Sequence, residues 1–92
     1  MTMFELGMSV PADLQYAEML RLVAAQAARQ AGGVEAEAVA FGADVERAVR
    51  ACVSGAAAPD IAVVVRGRVA EVEVVLTCGQ TITVARALPL DV

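Results

Sequence analysis

Few residues in this 92-residue sequence carry side chains that could do chemistry, and the two cysteines stand out first. Cys52 and Cys78 lie 26 positions apart, and Cys52 is flanked by the apolar residues Ala51 and Val53. A pair at this spacing fits neither a four-thiolate zinc site nor a CxxC redox motif. Three states stay open: buried free thiols, a disulfide, or a reactive thiol. We expect buried free thiols that react slowly, because no Lys or His lies beside either cysteine to lower its pKa.

Charged residues on both sides of a predicted turn are the second candidate. Arg66 and Arg68 flank the predicted turn at Gly67, and Glu71 and Glu73 lie on one face of the next predicted strand. Opposite charges that face each other across a hairpin fix its register, at about 0.2 to 1 kcal/mol per pair. We expect ion pairs here, and this charged face is also a candidate surface for a protein partner.

Missing residue types exclude several classes of function. His is absent, which removes imidazole-based triads and His-containing zinc sites, and Lys, Asn and Trp are absent too. A net charge of -4 and three aromatic residues argue against a nucleic-acid partner. Thr81 and Thr83 have no Gly-rich loop with a Lys beside them, so we expect exposed strand residues there and no phosphate site. The sequence predicts no cofactor and no metal.

The distribution of apolar residues also bears on location. No apolar run approaches the roughly 18 residues of a membrane span. Residues 1–5 lack the basic region and apolar segment of a signal peptide. We therefore expect a cytoplasmic protein without a membrane partner, and free thiols would suit that compartment. Abundant Ala, Val and Arg without Lys or Asn is typical of a GC-rich bacterial genome.

Hydrophobic spacing predicts the elements that position these residues within a single domain, residues 1–92. Alternation predicts a first strand, and a 3.6-residue period predicts two helices after it. The first helix begins at Pro11 and ends at Gly32. Val-rich segments predict three more strands, with turns at Gly67 and at residues 78–80, a connector around residues 56–60 and an end at Pro89. The predicted bounds are strand 4–10, helices 11–31 and 34–53, and strands 61–66, 69–76 and 81–85.

The predicted fold is an α+β two-layer sandwich of order β-α-α-β-β-β. Two helices pack on one face of a four-stranded sheet, which the first strand joins at an edge. Small Ala side chains in the first helix predict close packing against another element. The predicted core stripes of the helices are Tyr16, Ala17, Leu20, Val23, Ala24, Ala27 and Ala31, and Val34, Ala38, Phe41, Val45, Ala48, Val49 and Cys52.

Three segments resemble parts of the histidine-kinase-like ATPase (GHKL) domain of bacterial anti-sigma factor kinases. Residues 4–14, FELGMSVPADL, resemble the opening strand and Pro-started helix of that family. Residues 41–53, FGADVERAVRACV, resemble the helix that carries its E-x-x-x-N box, and residues 79–86, GQTITVAR, resemble its closing G-x-T strand. Together these segments span most of the chain.

The family's functional positions are only partly filled. Glu46 matches the glutamate that acts as general base, but Arg50 stands where the family has the Asn that holds magnesium. Residues 77–81 contain no counterpart of the Asp that reads adenine, and only the turn at 78–80 remains in place of the lid helix. The resemblance therefore implies a shortened relative without a working ATP site, in which Glu46 is a relic catalytic residue. Glu46 and Arg50 also have the spacing of an ordinary helical ion pair.

These features support one leading hypothesis and two alternatives. The leading hypothesis is a non-catalytic regulatory or protein-interaction domain, whose partner by resemblance is a sigma factor or its antagonist. One alternative is a small enzyme or ligand-binding protein that uses Cys78 at a turn, and the other is an unrelated self-associating structural domain. A 59% hydrophobic composition, with Leu22, Val39 and Val75 off the core stripes, predicts a dimer or larger homo-oligomer.

Overall fold

The computed structural model describes residues 2–55 and 59–88, and these form two layers. One layer is an antiparallel sheet of four strands in the order β1-β2-β3-β4, and the other is a pair of helices. The predicted α+β fold, its element order and the edge position of the first strand are confirmed. The predictions for residues 56–58 and Pro89 lie outside the described residues. The elements are β1 (Thr2–Pro11), α1 (Ala17–Gln30), α2 (Glu35–Ser54), β2 (Asp60–Arg68), β3 (Glu71–Thr77) and β4 (Thr81–Ala87).

The start of the first helix was predicted wrongly. Pro11 ends β1, where it lies opposite Asp60, and does not begin a helix. An edge strand tolerates proline because its missing N–H need not be part of the ladder. Asp13 then accepts a hydrogen bond from the Gln15 backbone N–H at 3.0 Å and caps a short 3-10 turn, Leu14–Tyr16. The helix proper begins only at Ala17.

Gly67 is also placed differently from the prediction. It lies inside β2, opposite Phe4 and Val72, and the turn falls at residues 69–70, where Ala70 has a φ of 60°. A Cβ added at Gly67 would lie 2.2 Å from atoms of the Phe4 ring. Gly67 therefore provides space for an aromatic ring from the neighbouring strand, and the chain reverses two residues later.

The two helices pack very close to each other, as the small side chains predicted. A Cβ added at Gly42 would lie 2.8 Å from the backbone oxygen of Arg21 and 3.4 Å from the Cβ of Ala25. Helices separated by small residues approach to about 8 Å, whereas the outer strands of a four-stranded sheet lie about 14 Å apart. Leu6 on β1 is nevertheless exposed, so the pair leaves part of the sheet on the β1 side uncovered.

The helices cover one side of the sheet better than the other. Helix α1 packs on β2 and β3, and α2 packs on β3 and β4, so β1 has the least helical cover. The core lies between the layers, and the inward-facing residues of β2 and β3 are fully buried. Sheet residues in this core are Val10, Ile61, Val63, Val65, Val72, Val74 and Leu76, and the largest helical ones are Leu20, Phe41, Val45 and Val49.

Candidate functional site

Glu46, the candidate relic base, lies in an ion-pair network on the outer surface of the helices. One of its carboxylate oxygens is 3.2 Å from Arg21 Nε, and the other accepts a hydrogen bond of 3.0 Å from Arg50. The predicted pair of Glu46 with Arg50 is thus confirmed. Both carboxylate oxygens of Glu46 therefore contact guanidinium groups, as in an ordinary surface ion-pair network.

The turn between β3 and β4 is the second place where the resemblance put nucleotide chemistry. The Cys78 backbone N–H donates to the Gln80 carbonyl at 2.9 Å, and Gly79 has a φ of 94°. Thr81 and Thr83 follow on β4, exposed on the sheet face away from the helices. Cys52, near the carboxyl end of α2, contacts this turn. A phosphate here would meet the negative end of a helix dipole, which disfavours anion binding.

The two cysteines form a disulfide, so the expectation of buried free thiols was wrong. Their Cα atoms are 5.9 Å apart, and both residues are almost fully buried. The bond joins the end of α2 to the β3–β4 turn because the core stripe of α2 and the inward side of that turn meet there. A disulfide sulfur is not a free thiolate, so Cys78 offers no reactive group in this state.

Two further sequence expectations concern metals and membranes. Within residues 2–55 and 59–88, no three His, Cys, Asp or Glu side chains lie together as metal ligands would. In the same part of the chain, no helix combines the length and the apolar character needed to cross a membrane.

The sheet face away from the helices carries a ladder of charges across three strands. Arg66 donates to Glu73 on β3 at 3.0 Å and to Glu5 on β1 at 2.6 Å. These hydrogen bonds raise the pKa of the Arg66 guanidinium. Arg68 pairs with Glu71 at 3.4 Å, so both hairpin pairs predicted from the sequence are confirmed. The ion pair of Glu5 with Arg66 was not predicted, because the residues of β1 alone do not show that this strand lies beside β2.

An apolar groove lies beside β1, and we call it the β1–α1 groove. It encloses a cavity of about 210 Å³. Leu6 in its floor is 51% exposed, although the alternation of β1 placed Leu6 on the buried face. The residues that line the groove are Phe4, Leu6, Val23, Gln26, Ala27, Gln30 and Val65.

Helical periodicity explains why this groove has no formal charge along it. Met19, Val23, Gln26 and Gln30 are spaced by four, three and four residues, so they share the flank of α1 that borders β1. The charged residues of α1 point elsewhere, as Arg21 does toward Glu46 on α2. The groove is therefore bordered by uncharged side chains on the strand side and on the helix side.

Sequence reasoning missed the groove because it assumed that the helices cover the whole sheet. The available signal was the run of small residues in α1 and Gly42 in α2, which brings the helices together and draws them away from β1. Comparison with models of known protein families and with curated proteins finds no match. The fold and the surface thus define a small α+β sandwich with one uncovered sheet edge.

Proposed function

We propose that this chain is a non-catalytic protein-interaction domain and that it binds its partner along the β1–α1 groove. The observation that carries this proposal is the exposed, uncharged groove next to an edge strand of ten residues. An edge strand presents backbone N–H and C=O groups that another extended chain can pair with. The groove beside it can then take every second side chain of that chain.

The dimensions of the groove favour a protein segment over a small-molecule ligand. A volume of about 210 Å³ is below the roughly 300 to 1,000 Å³ of pockets that enclose small ligands. Its polar groups are the side-chain amides of Gln26 and Gln30, at the end of the groove nearest the carboxyl end of α1. We infer a partner segment that is apolar on the side facing α1.

The family resemblance gives the proposed partner a class. Anti-sigma factor kinases act on sigma factors and their antagonists, so a regulatory partner of that kind is our proposal for this chain. A bacterial cytoplasmic location stays a prediction. The cysteines give it no support, because Cys52 and Cys78 are joined in a disulfide and disulfides are rare in the cytosol.

A matched pair of substitutions tests the interaction proposal. Leu6→Lys places a charge in the groove, and Val39→Lys places the same charge on the outer surface of α2, where the residue is similarly exposed at 54%. A partner captured from cell extract is identified, purified and titrated against each variant. We expect Leu6→Lys to weaken binding at least tenfold and Val39→Lys to leave it unchanged. Equal binding by both variants would show that the groove is not the binding site.

The proposal also includes the absence of ATP binding. By the resemblance, Arg50 stands where the family has its magnesium-binding Asn, and here Arg50 contacts Glu46. The turn where the resemblance places the phosphates is bonded to Cys52, near the carboxyl end of α2. Each lost charged or metal-mediated contact costs about 1.5 to 3 kcal/mol, so a family-type micromolar site moves beyond the millimolar range. Isothermal titration with magnesium and ATP checks this. A dissociation constant below about 0.1 mM, near -5.5 kcal/mol, would restore Glu46 as a candidate base.

A further inference from the structure

Strand β1 lacks the features that keep an edge strand from pairing with another chain. Such features are charged side chains that point toward the core, a central proline, a bulge in the middle, or a very short length. Strand β1 has ten residues, its proline is the last of them, and its register irregularity falls at the other end, between Thr2 and Phe4. Its single charge, Glu5, points away from the helices and is already paired with Arg66.

The chain itself contains a segment with the pattern that the β1–α1 groove requires. The required occupant is an extended strand with apolar residues at alternate positions on the side facing α1. Strand β1 has that pattern, because every second residue, from Phe4 through Leu6 and Met8 to Val10, faces the helices. We propose that a second copy of this chain docks in the groove, its β1 pairing antiparallel with β1 of the first about a two-fold axis. This rests on the proposed function insofar as both use the same groove.

The two-fold symmetry restricts the register of the β1–β1 pairing to a few choices. The only charge in the strand, Glu5, is compatible with them. A two-fold axis perpendicular to the sheet keeps the helices of both copies on one face, so each residue lies opposite one with its side chain on the same face. Registers centred on Leu6 or on Gly7 each pair nine residues of β1. Glu5 then lies opposite Gly7 or Ser9, and no like charges oppose each other in the paired strands.

The size of the contact is sufficient for a dimer of moderate affinity. Nine paired residues at about 3.4 Å each extend over about 30 Å. We take the width of the contact as the smallest extent of the Cα framework, 16 Å. A contact of this length and width buries on the order of 1,000 Å² of surface, counted over the two copies. That area is near the lower limit of specific interfaces, so we expect dissociation in the micromolar range.

The first test measures mass against concentration. Light scattering and sedimentation of the full chain from about 5 to 500 µM should show a species of twice 9.5 kDa that dissociates on dilution. Leu6→Lys should raise the dissociation constant at least tenfold, because two like charges meet near the axis, and Leu6→Ala should raise it less. Val39→Lys should leave it unchanged. Circular dichroism melts of each variant check that it is folded.

The second test locates the interface by amide hydrogen exchange in the wild-type chain. Alternate amides of β1, those directed away from β2, should gain protection as concentration rises, and the amides of β4 should not change. A monomer at 500 µM, an unaffected dimer in Leu6→Lys, or protection confined to β4 would overturn the proposal.

The outcomes separate this inference from the proposed function. If the wild type is monomeric and Leu6→Lys still abolishes partner binding, the proposed interaction domain stands and the proposed dimer is rejected. If Leu6→Lys disrupts the dimer but does not change binding of the captured partner, a second copy occupies the groove. The other partner then binds elsewhere.

Discussion

The two edges of the sheet are built in opposite ways. Strand β4 lies under α2, and its Arg86 points toward that helix, where it donates to Glu37 and lies 3.4 Å from Asp44. These contacts raise the pKa of Arg86. The turn that leads into β4 is joined to α2 by the Cys52–Cys78 disulfide. Strand β1 has neither an inward charge nor a covalent link, and an apolar groove lies beside it.

This difference shows how one sheet can hold a closed edge and an open edge. An inward-pointing charge is costly for a second strand to cover, which protects β4 from edge-to-edge pairing. Strand β1 has no inward charge, and both its ten-residue length and its alternating apolar residues favour pairing with another strand. The asymmetry arises because the small residues of α1 and α2 hold the helices over β2, β3 and β4.

Removing the disulfide should have the largest effect on stability. A bridge that closes a loop of this length stabilises by roughly 3 to 4 kcal/mol in the chain-entropy treatment. The double variant Cys52→Ala and Cys78→Ala should therefore lose about that much free energy of unfolding in urea titration. Reductant should lower the stability of the wild type by a similar amount and should not affect the double variant. An unchanged wild type in reductant would show that the bond contributes little to the closed edge.

The packing of Phe4 on Gly67 should have a medium effect, limited to the β1 side. Gly67→Ala forces the Phe4 ring out of its position, and overpacking of this kind costs about 1 to 3 kcal/mol. The matched control is Gly7→Ala on β1, where an added Cβ has nothing within 4 Å. We expect a clear loss of thermal stability in the first and little change in the second. Equal effects would mean that the ring adapts without cost.

Replacing Arg86 should have the smallest effect on stability and a specific effect on association. In the Leu6→Lys background, where β1 carries an added charge, Arg86→Val should make β4 an apolar edge and cause association that rises with concentration. Arg86→Lys in the same background keeps the inward charge and should stay monomeric. Light scattering compares the two. Monomeric behaviour of both would show that α2, and not the charge, protects β4.

The sequence predicts the layers of this fold better than its surface. Periodicity is a local property, so the helix that contains Phe41 and Val45 and the strand that contains Val72 and Val74 could be read directly. The role of Gly67 could not, because it depends on Phe4, a residue of another strand brought opposite by the fold.

The same limit applies to the candidate site. Arg66 and Glu73 face each other across a hairpin and were predictable, whereas Glu5 joins them from a strand far away in the chain. The disulfide was one of three open states, because spacing alone does not bring two cysteines together. The groove depends on the distance between the helices. Packing between residues of both helices sets that distance, so the sequence of one segment does not predict it.

The position of the Cys52–Cys78 bond also decides whether cleavage of the backbone releases a fragment. It closes a ring that contains β2 and β3, so cleavage after Arg66 or Arg68 leaves the two fragments joined. Cleavage after Arg50 or Arg86 separates them. Strand β1 and helix α1 lie outside the ring, so after cleavage at Arg50 non-covalent contacts alone would hold them to the rest. They form a continuous segment that could be exchanged between copies without opening the disulfide ring.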